Sequence, residues 1–398
     1  MRVLSPRMRR RDDEAMLDRV EHFRARRRLS GLDTRLLDEV VDVVGNEGRD
    51  PAEYVTSLFD EHQVVFLGEH APSRQAGLFL QELVPELQAA GVWCLGIEFA
   101  CVDDQPILDA LLMAPRFDET LARSAVFRWG LRHHFAYREY LDVLRVVWEV
   151  NQDRDPLAPM FRVVALDYDI EVDAVTASAD LRSPYAWEHL RPRGSAARHM
   201  ADVILREFVD RNHRALVVGR TQHSLTRLRR LPHHVCDAID YELIDGHVVG
   251  AANHVYATIA DRAATVLLHQ PLPADGEMGD FTLAADGVLD AAFARPNGPK
   301  YPVAFDVRSG TLGHLACSTA ADRGELSTRA TGWVFLDSID RLTAPTPIHD
   351  VVTEDTVVDA RRYALDADLR GPDATPEAFA DAVATAAAAA ELGWTQII

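Results

Sequence analysis

Glu69 and His70 stand side by side where an apolar run ends, in VVFLGEHAP at residues 64–72. Val64 to Leu67 reads as a strand buried on both faces, and Gly68 permits a sharp exit. Other segments repeat the pattern. LGIEFA carries Glu98 at a strand end, FRVVALDYD carries Asp167 and Asp169, and ALVVGRTQHS carries Arg220 and His223. In a parallel sheet these ends share one rim, the rim at which open α/β sheets bind ligands. Glu69, His70, Glu98, Asp167, Arg220 and His223 are therefore expected to meet in one crevice, although roughly 150 positions separate the first from the last.

Two chemistries suit such a set. One is acid–base work without metal. A histidine titrates near neutrality, and a carboxylate beside it fixes its tautomer or raises its basicity. Water deprotonated by His70 would attack an ester or amide carbonyl, His223 would protonate the leaving group, and an arginine would hold the oxyanion. The other is a metal site, with Glu69, His70, Glu98 and His223 as ligands for zinc, manganese or iron. No H-E-x-x-H sequence supports the second. The absence of G-x-S-x-G disfavours a serine hydrolase, and the absence of G-x-G-x-x-G and of G-x-x-x-x-G-K-[ST] disfavours dinucleotide and nucleotide triphosphate binding. Lys300 is the only lysine, which nearly excludes Schiff-base chemistry.

A second cluster is FRWGLRHHFAYREY. His133 and His134 lie beside Trp129, Phe135 and Tyr137, aromatic company typical of a substrate pocket. His133, His134, Trp129 and Tyr137, with Asp167 and Arg220, are the substrate-binding candidates. Arg198 faces the strand ends either as a salt-bridge partner or as an anion contact, and His233–His234 read as loop histidines.

The elements that must position these groups alternate between strand and helix over 60–270. Strands are expected at 63–68, 92–100, 161–169 and 214–224, and helices at about 74–90, 104–114, 134–150 and 195–212, the last capped by Ser195. Residues 270–287 read as a turn-rich linker, 301–307 and 332–337 as two more strands, and 376–394 as an alanine-rich helix. This is an α/β pattern: a mixed, largely parallel sheet flanked by helices, with an N-terminal helical extension (1–60), a central domain (61–345) and a C-terminal helical segment (346–398).

The 398 residues carry 42 basic and 62 acidic side chains, a net charge of −20. Such a surface repels phosphate backbones, so nucleic acid is not an expected partner. Ten arginines fall in the first 28 residues, without the apolar core of a signal peptide, and no stretch is apolar enough to span a membrane. Cys94, Cys101, Cys236 and Cys317 form no C-x-x-C pair; Cys94 and Cys101 read as small buried residues, and a reducing, cytoplasmic setting is expected.

FLGEHAPSRQAGLFLQEL, LGIEFA, RHMADVILREFVDRNHRALVVGRTQHS and GWVFLD, in this order and spacing, resemble the erythromycin esterase-like and ChaN-like superfamily, to which the Tiki proteases are related. The resemblance spans about 60–340. By position it assigns Glu69, His70, Glu98 and His223 to the family's site, with Arg74 and Arg198 near its arginines. The chain departs from the family pattern by placing Glu69 and His70 directly adjacent. The esterase branch implies histidine-activated water opening a lactone, the Tiki branch a metal-dependent peptidase, and the ChaN branch iron or haem binding.

The resulting expectation is a hydrolase of an ester, lactone or amide in a natural product or modified peptide, serving biosynthesis or resistance. His70 is the general base, Glu69 its orienter, His223 the acid or second base, Glu98 a positioner of water, and Arg74 or Arg198 the anion anchor. No cofactor is required in this reading. The alternatives are a divalent-metal hydrolase and a non-enzymatic haem or iron carrier. The expected partner is a small-molecule or peptide substrate, with no nucleic acid and no membrane.

Overall fold

The computed structural model describes residues 32–170, 191, 193–227, 229–230, 242–244, 247–273, 281–317 and 324–395. Seven strands form one sheet: β1 (Val64–Glu69), β2 (Cys94–Cys101), β3 (Arg162–Asp167), β4 (Ala215–Arg220), β5 (Ala263–Leu268), β6 (Val303–Asp306) and β7 (Gly332–Phe335). Their order is β6-β7-β5-β1-β4-β2-β3. Every neighbouring pair is parallel except β6 with β7. This is the α/β sheet that the strand–helix alternation implies. β5, AATVLL, runs straight into His269 and Gln270 with no glycine between, which is why the pattern of apolar run, glycine and charge does not pick it out.

The helices that concern the site are α1 (Thr34–Glu47), α2 (Pro51–Ser57), α3 (Arg74–Ala89), α4 (Gln105–Met113), α5 (Glu119–His133), α6 (Arg138–Asp153), α7 (Ala196–Ile204), α8 (Ala251–Ile259), α9 (Val357–Tyr363) and α10 (Pro376–Thr395). Alternation along β1 divides them between two layers. Val65 and Leu67 pack with the buried faces of α3 and α6, and Val64 and Phe66 pack with α7 and α8. Each such side chain, once buried, contributes about 1.5–3 kcal/mol. The C-terminal segment joins the first of these layers through Val357, Phe379, Val383 and Ala387. Residues 379, 383 and 387 recur every four positions and so make one helix face.

Four boundaries differ from the sequence reading, the first being the strand expected at 214–224, which ends at Arg220 and gives way to the short helix Thr221–Ser224. The helix expected at 134–150 begins at Arg138, and a separate helix, α5, precedes it. The buried face of α5 is built from Ala122, Ala125, Trp129 and Arg132, too small and too charged to register as an apolar stripe. The helix expected at 195–212 keeps its Ser195 cap, whose side chain accepts from Arg198 N, but after Ile204 it loosens into a π-turn over Leu205–Val209. The stretch read as a linker starts with Gln270, which is buried within the fold. Cys94, Cys101 and Cys317 are free and buried, and Cys236 lies outside the described residues. No helix among the described residues is long and apolar enough to cross a membrane.

β1 passes to β2 through α3 on one face, while its neighbour β4 passes to β5 through α8 on the other. Adjacent strands whose connections leave on opposite sides open a crevice beyond their carboxyl ends. Glu69 and Arg220 are register partners at that point.

Candidate active site

The crevice holds a cavity of about 230 Å³. Glu69, His70, Glu98, Arg220 and His133 supply its polar wall. Phe99, Trp129, Phe135 and Tyr137 supply an aromatic one, and Ala386 of α10 borders it.

Glu98 reaches the site because β2 is irregular. Its pairing with β3 runs evenly to Ile97–Ala165 and resumes only at Cys101–Asp167. The extra residues form a bulge, which re-aims side chains near a strand end. The Glu98 carboxylate crosses to β4, where one oxygen accepts from Arg220 N (2.7 Å) and the other from Arg220 Nε (2.6 Å). Gly219 makes room for it: a Cβ there would lie 2.6 Å from Glu98 Oε2. Gly68, the register partner of Gly219, is also confined, because a Cβ would meet Leu267 and Ser224 at under 3 Å. The glycine that precedes the charged residue in both strands is thus a packing requirement. Gly219→Ala should force Glu98 off the Arg220 amide and cost about 1–3 kcal/mol, measurable by urea denaturation.

Glu69 is sealed from water on the α6 side. Tyr140 Oη donates to its Oε2 at 2.6 Å and accepts from Ser73 N at 3.1 Å. Burial raises the Glu69 carboxyl to about 8; the Tyr140 hydrogen bond opposes this and the nearby Glu98 charge adds to it. Near neutrality Glu69 is therefore largely a protonated acid. The sequence reading makes it the orienter of His70; in the structure Tyr140 engages its carboxyl. The chain at His70 is held by Gln270, whose Oε1 accepts from His70 N (2.7 Å) and Ala71 N (3.1 Å) and whose Nε2 donates to Ala71 O (2.9 Å).

His133 and His134 part company. His133 ends α5 and lines the cavity, under the Trp129 ring at 4.4 Å. Arg132 Nε donates to His133 Nε2 (2.9 Å), so that nitrogen carries no proton. His134 takes the left-handed conformation that caps α5 (φ 53°) and is not part of the cavity wall. The pair was expected to precede a helix; it closes one.

Four further candidates lie away from the cavity wall. Asp167 is 1% exposed and serves as the centre of a buried ion-pair cluster: Arg132 and Arg191 bind it, Trp129 Nε1 donates to it at 3.1 Å and Tyr168 N at 2.8 Å. Its contribution is to hold Trp129 in place, with no surface left for substrate. Arg74 opens α3, more than half exposed, with its Nε 3.5 Å from Glu139. Arg198 lies exposed on α7, the helix layer of the opposite face. His223 is buried on the short helix Thr221–Ser224 beyond β4, where its Cα lies 3.0 Å from the position of a Cβ at Gly250. The arginine at the cavity is Arg220. Tyr140 and Gln270 escaped the sequence reading because a helical tyrosine and a lone glutamine carry no local signal of what they touch. His233–His234 lie outside the described residues.

A metal fits this donor set poorly. Glu98 is taken up by Arg220 and Glu69 by Tyr140, and among the described residues no three His, Cys, Asp or Glu side chains group as metal ligands.

No family profile and no curated protein matches the sequence. Solved structures do resemble the fold. A succinoglycan biosynthesis protein aligns with 77% of this chain and 98% of its own, at 10% identity and a TM-score of 0.51. A Bacillus cereus protein covers 75% and 97% at 11% identity and a TM-score of 0.47. An erythromycin esterase mutant in its open conformation covers 72% and 93% at 10% identity and a TM-score of 0.46. At this identity the first likeness concerns the fold alone.

Proposed function

We propose that the protein hydrolyses an ester, lactone or amide, with water as nucleophile. The observation that carries the reading is the meeting of His70, a buried Glu69 and the Glu98–Arg220 pair in one cavity at the sheet's switch point. His70, neutral in its working form, takes a proton from water as the oxygen attacks the carbonyl carbon. Arg220, fixed by Glu98, stands by the developing oxyanion. Glu69 gives its proton to the leaving oxygen or nitrogen as the carbon–heteroatom bond breaks, and the proton held by His70 then restores Glu69. Two titratable groups with opposed protonation states are what such a cycle needs.

Hydrolysis of a panel of esters, lactones and amides, followed by chromatographic measurement of the product acid, tests this. His70→Ala should lower kcat about 10²-fold, with the cooperative melting transition retained. Unchanged turnover in that variant, or no turnover of any panel member by the parent protein, would end the assignment.

A further inference from the structure

We infer that the substrate presents a single flat aromatic ring next to the scissile carbonyl, and that Ala386 sets the size limit of the ring's slot. The inference rests on the hydrolase reading of the same cavity. Three observations carry it.

The first is the character of the wall. Phe135 lies 4.9 Å from Tyr137, 5.1 Å from Trp129 and 5.6 Å from Phe99, centroid to centroid. The contact with Phe99 is stacked and the other two are edge-on. Flat rings with offset and edge-on neighbours accept another ring in the same geometries.

The second is charge. An aromatic cage beside two carboxylates invites a cation. Here that attraction is cancelled: Glu98 is neutralised by Arg220 at 2.6 Å, His133 Nε2 is already filled by the hydrogen bond from the Arg132 guanidinium, and Glu69 is held protonated by burial. The slot therefore favours an uncharged ring.

The third is volume. A cavity of about 150 Å³ is enough for benzene, whereas drug-sized ligands occupy about 300–1,000 Å³. At about 230 Å³ the cavity takes one ring and one ester or amide group, and most of a macrocyclic lactone would lie outside it. Ala386 borders this space from α10, whose neighbouring Val383 and Ala387 are fixed in the core. A larger side chain at 386 would enter the slot because the helix cannot retreat.

The test separates binding from turnover. Calorimetry on the full chain compares benzyl ethyl ketone, a ketone isostere of methyl phenylacetate that cannot be hydrolysed, with ethyl methyl ketone, the isostere of methyl acetate. The benzyl ketone should bind roughly 30-fold more tightly, the return on burying one ring. Ala386→Leu should weaken the benzyl ketone at least tenfold, while Ala388→Leu, on the exposed side of the same helix, leaves it unchanged. Equal affinity for the two ketones overturns the inference, as does faster hydrolysis of erythromycin than of methyl phenylacetate. Aryl selectivity in binding with no hydrolysis of either ester would leave the aryl slot standing and remove the hydrolase reading.

Discussion

Glu69→Gln is expected to make the protein more stable in alkali while stopping turnover. Glu69 titrates near 8 in the fold because its charged form is desolvated. In the unfolded chain a glutamate titrates at about 4.3. Between these values the unfolded chain releases a proton that the native state keeps, so native stability falls as pH rises through the window. Each pH unit is worth about 1.4 kcal/mol, and the loss reaches roughly 3–5 kcal/mol once pH passes about 8. Glutamine copies the protonated acid, still accepts from Tyr140 and has nothing to titrate. Urea denaturation of the two proteins should coincide near pH 4 and diverge towards pH 9, with the variant the more stable. Parallel curves across that range would show that Glu69 ionises freely and has no acid role. A residue that costs stability at working pH and whose neutral mimic is inactive is one retained for chemistry. A merely structural carboxylate would give destabilisation at both pH values.

Much of this site was legible in the order of residues along the strands. An apolar run, a glycine and then a charge marks β1 and β4, and the structure explains it: Gly68 and Gly219 sit in register, each where a Cβ would collide, and the next residue of each strand reaches the cavity rim. The alternation of strands and helices likewise implied the parallel sheet and its common rim. What stayed hidden depends on through-space partners. The strand-end pattern marks Arg220 for the rim, but nothing local reveals that it meets a bulged Glu98, or that Arg74 and Arg198, given the anion-anchor role, do not line the cavity. Tyr140 and Gln270 act across 71 and 200 positions of chain respectively. The split of His133 from His134 follows from where α5 ends, and that end is set by a left-handed cap that few non-glycine residues adopt, histidine being among the more tolerant.

Asp167 illustrates the converse, a strand-end acid whose role is mechanical, and its replacement is the other large expected effect. Arg132 and Arg191 are 2% and 3% exposed at the side chain, and both pair with a carboxylate that is itself 1% exposed. Forming such a cluster gains little net energy, because desolvation offsets attraction; breaking one side of it is costly, because charges remain buried and unmatched. Asp167→Ala should therefore lose about 3–5 kcal/mol of stability, with little relief from added salt, since buried pairs are weakly screened. Asp167→Asn keeps an acceptor for the Trp129 indole and should lose less. Because Trp129 Nε1 donates to the same carboxylate, the alanine variant should also shift Trp129 near-ultraviolet dichroism and loosen the aromatic wall, raising KM more than it lowers kcat. Replacing Asp167, Arg132 and Arg191 together by leucine and two methionines should recover most of the lost stability without recovering KM. A loss below about 1 kcal/mol in Asp167→Ala would mean that the two guanidinium groups find water on their own, and that the wall of the cavity is fixed by something other than this pair of arginines and the acid between them.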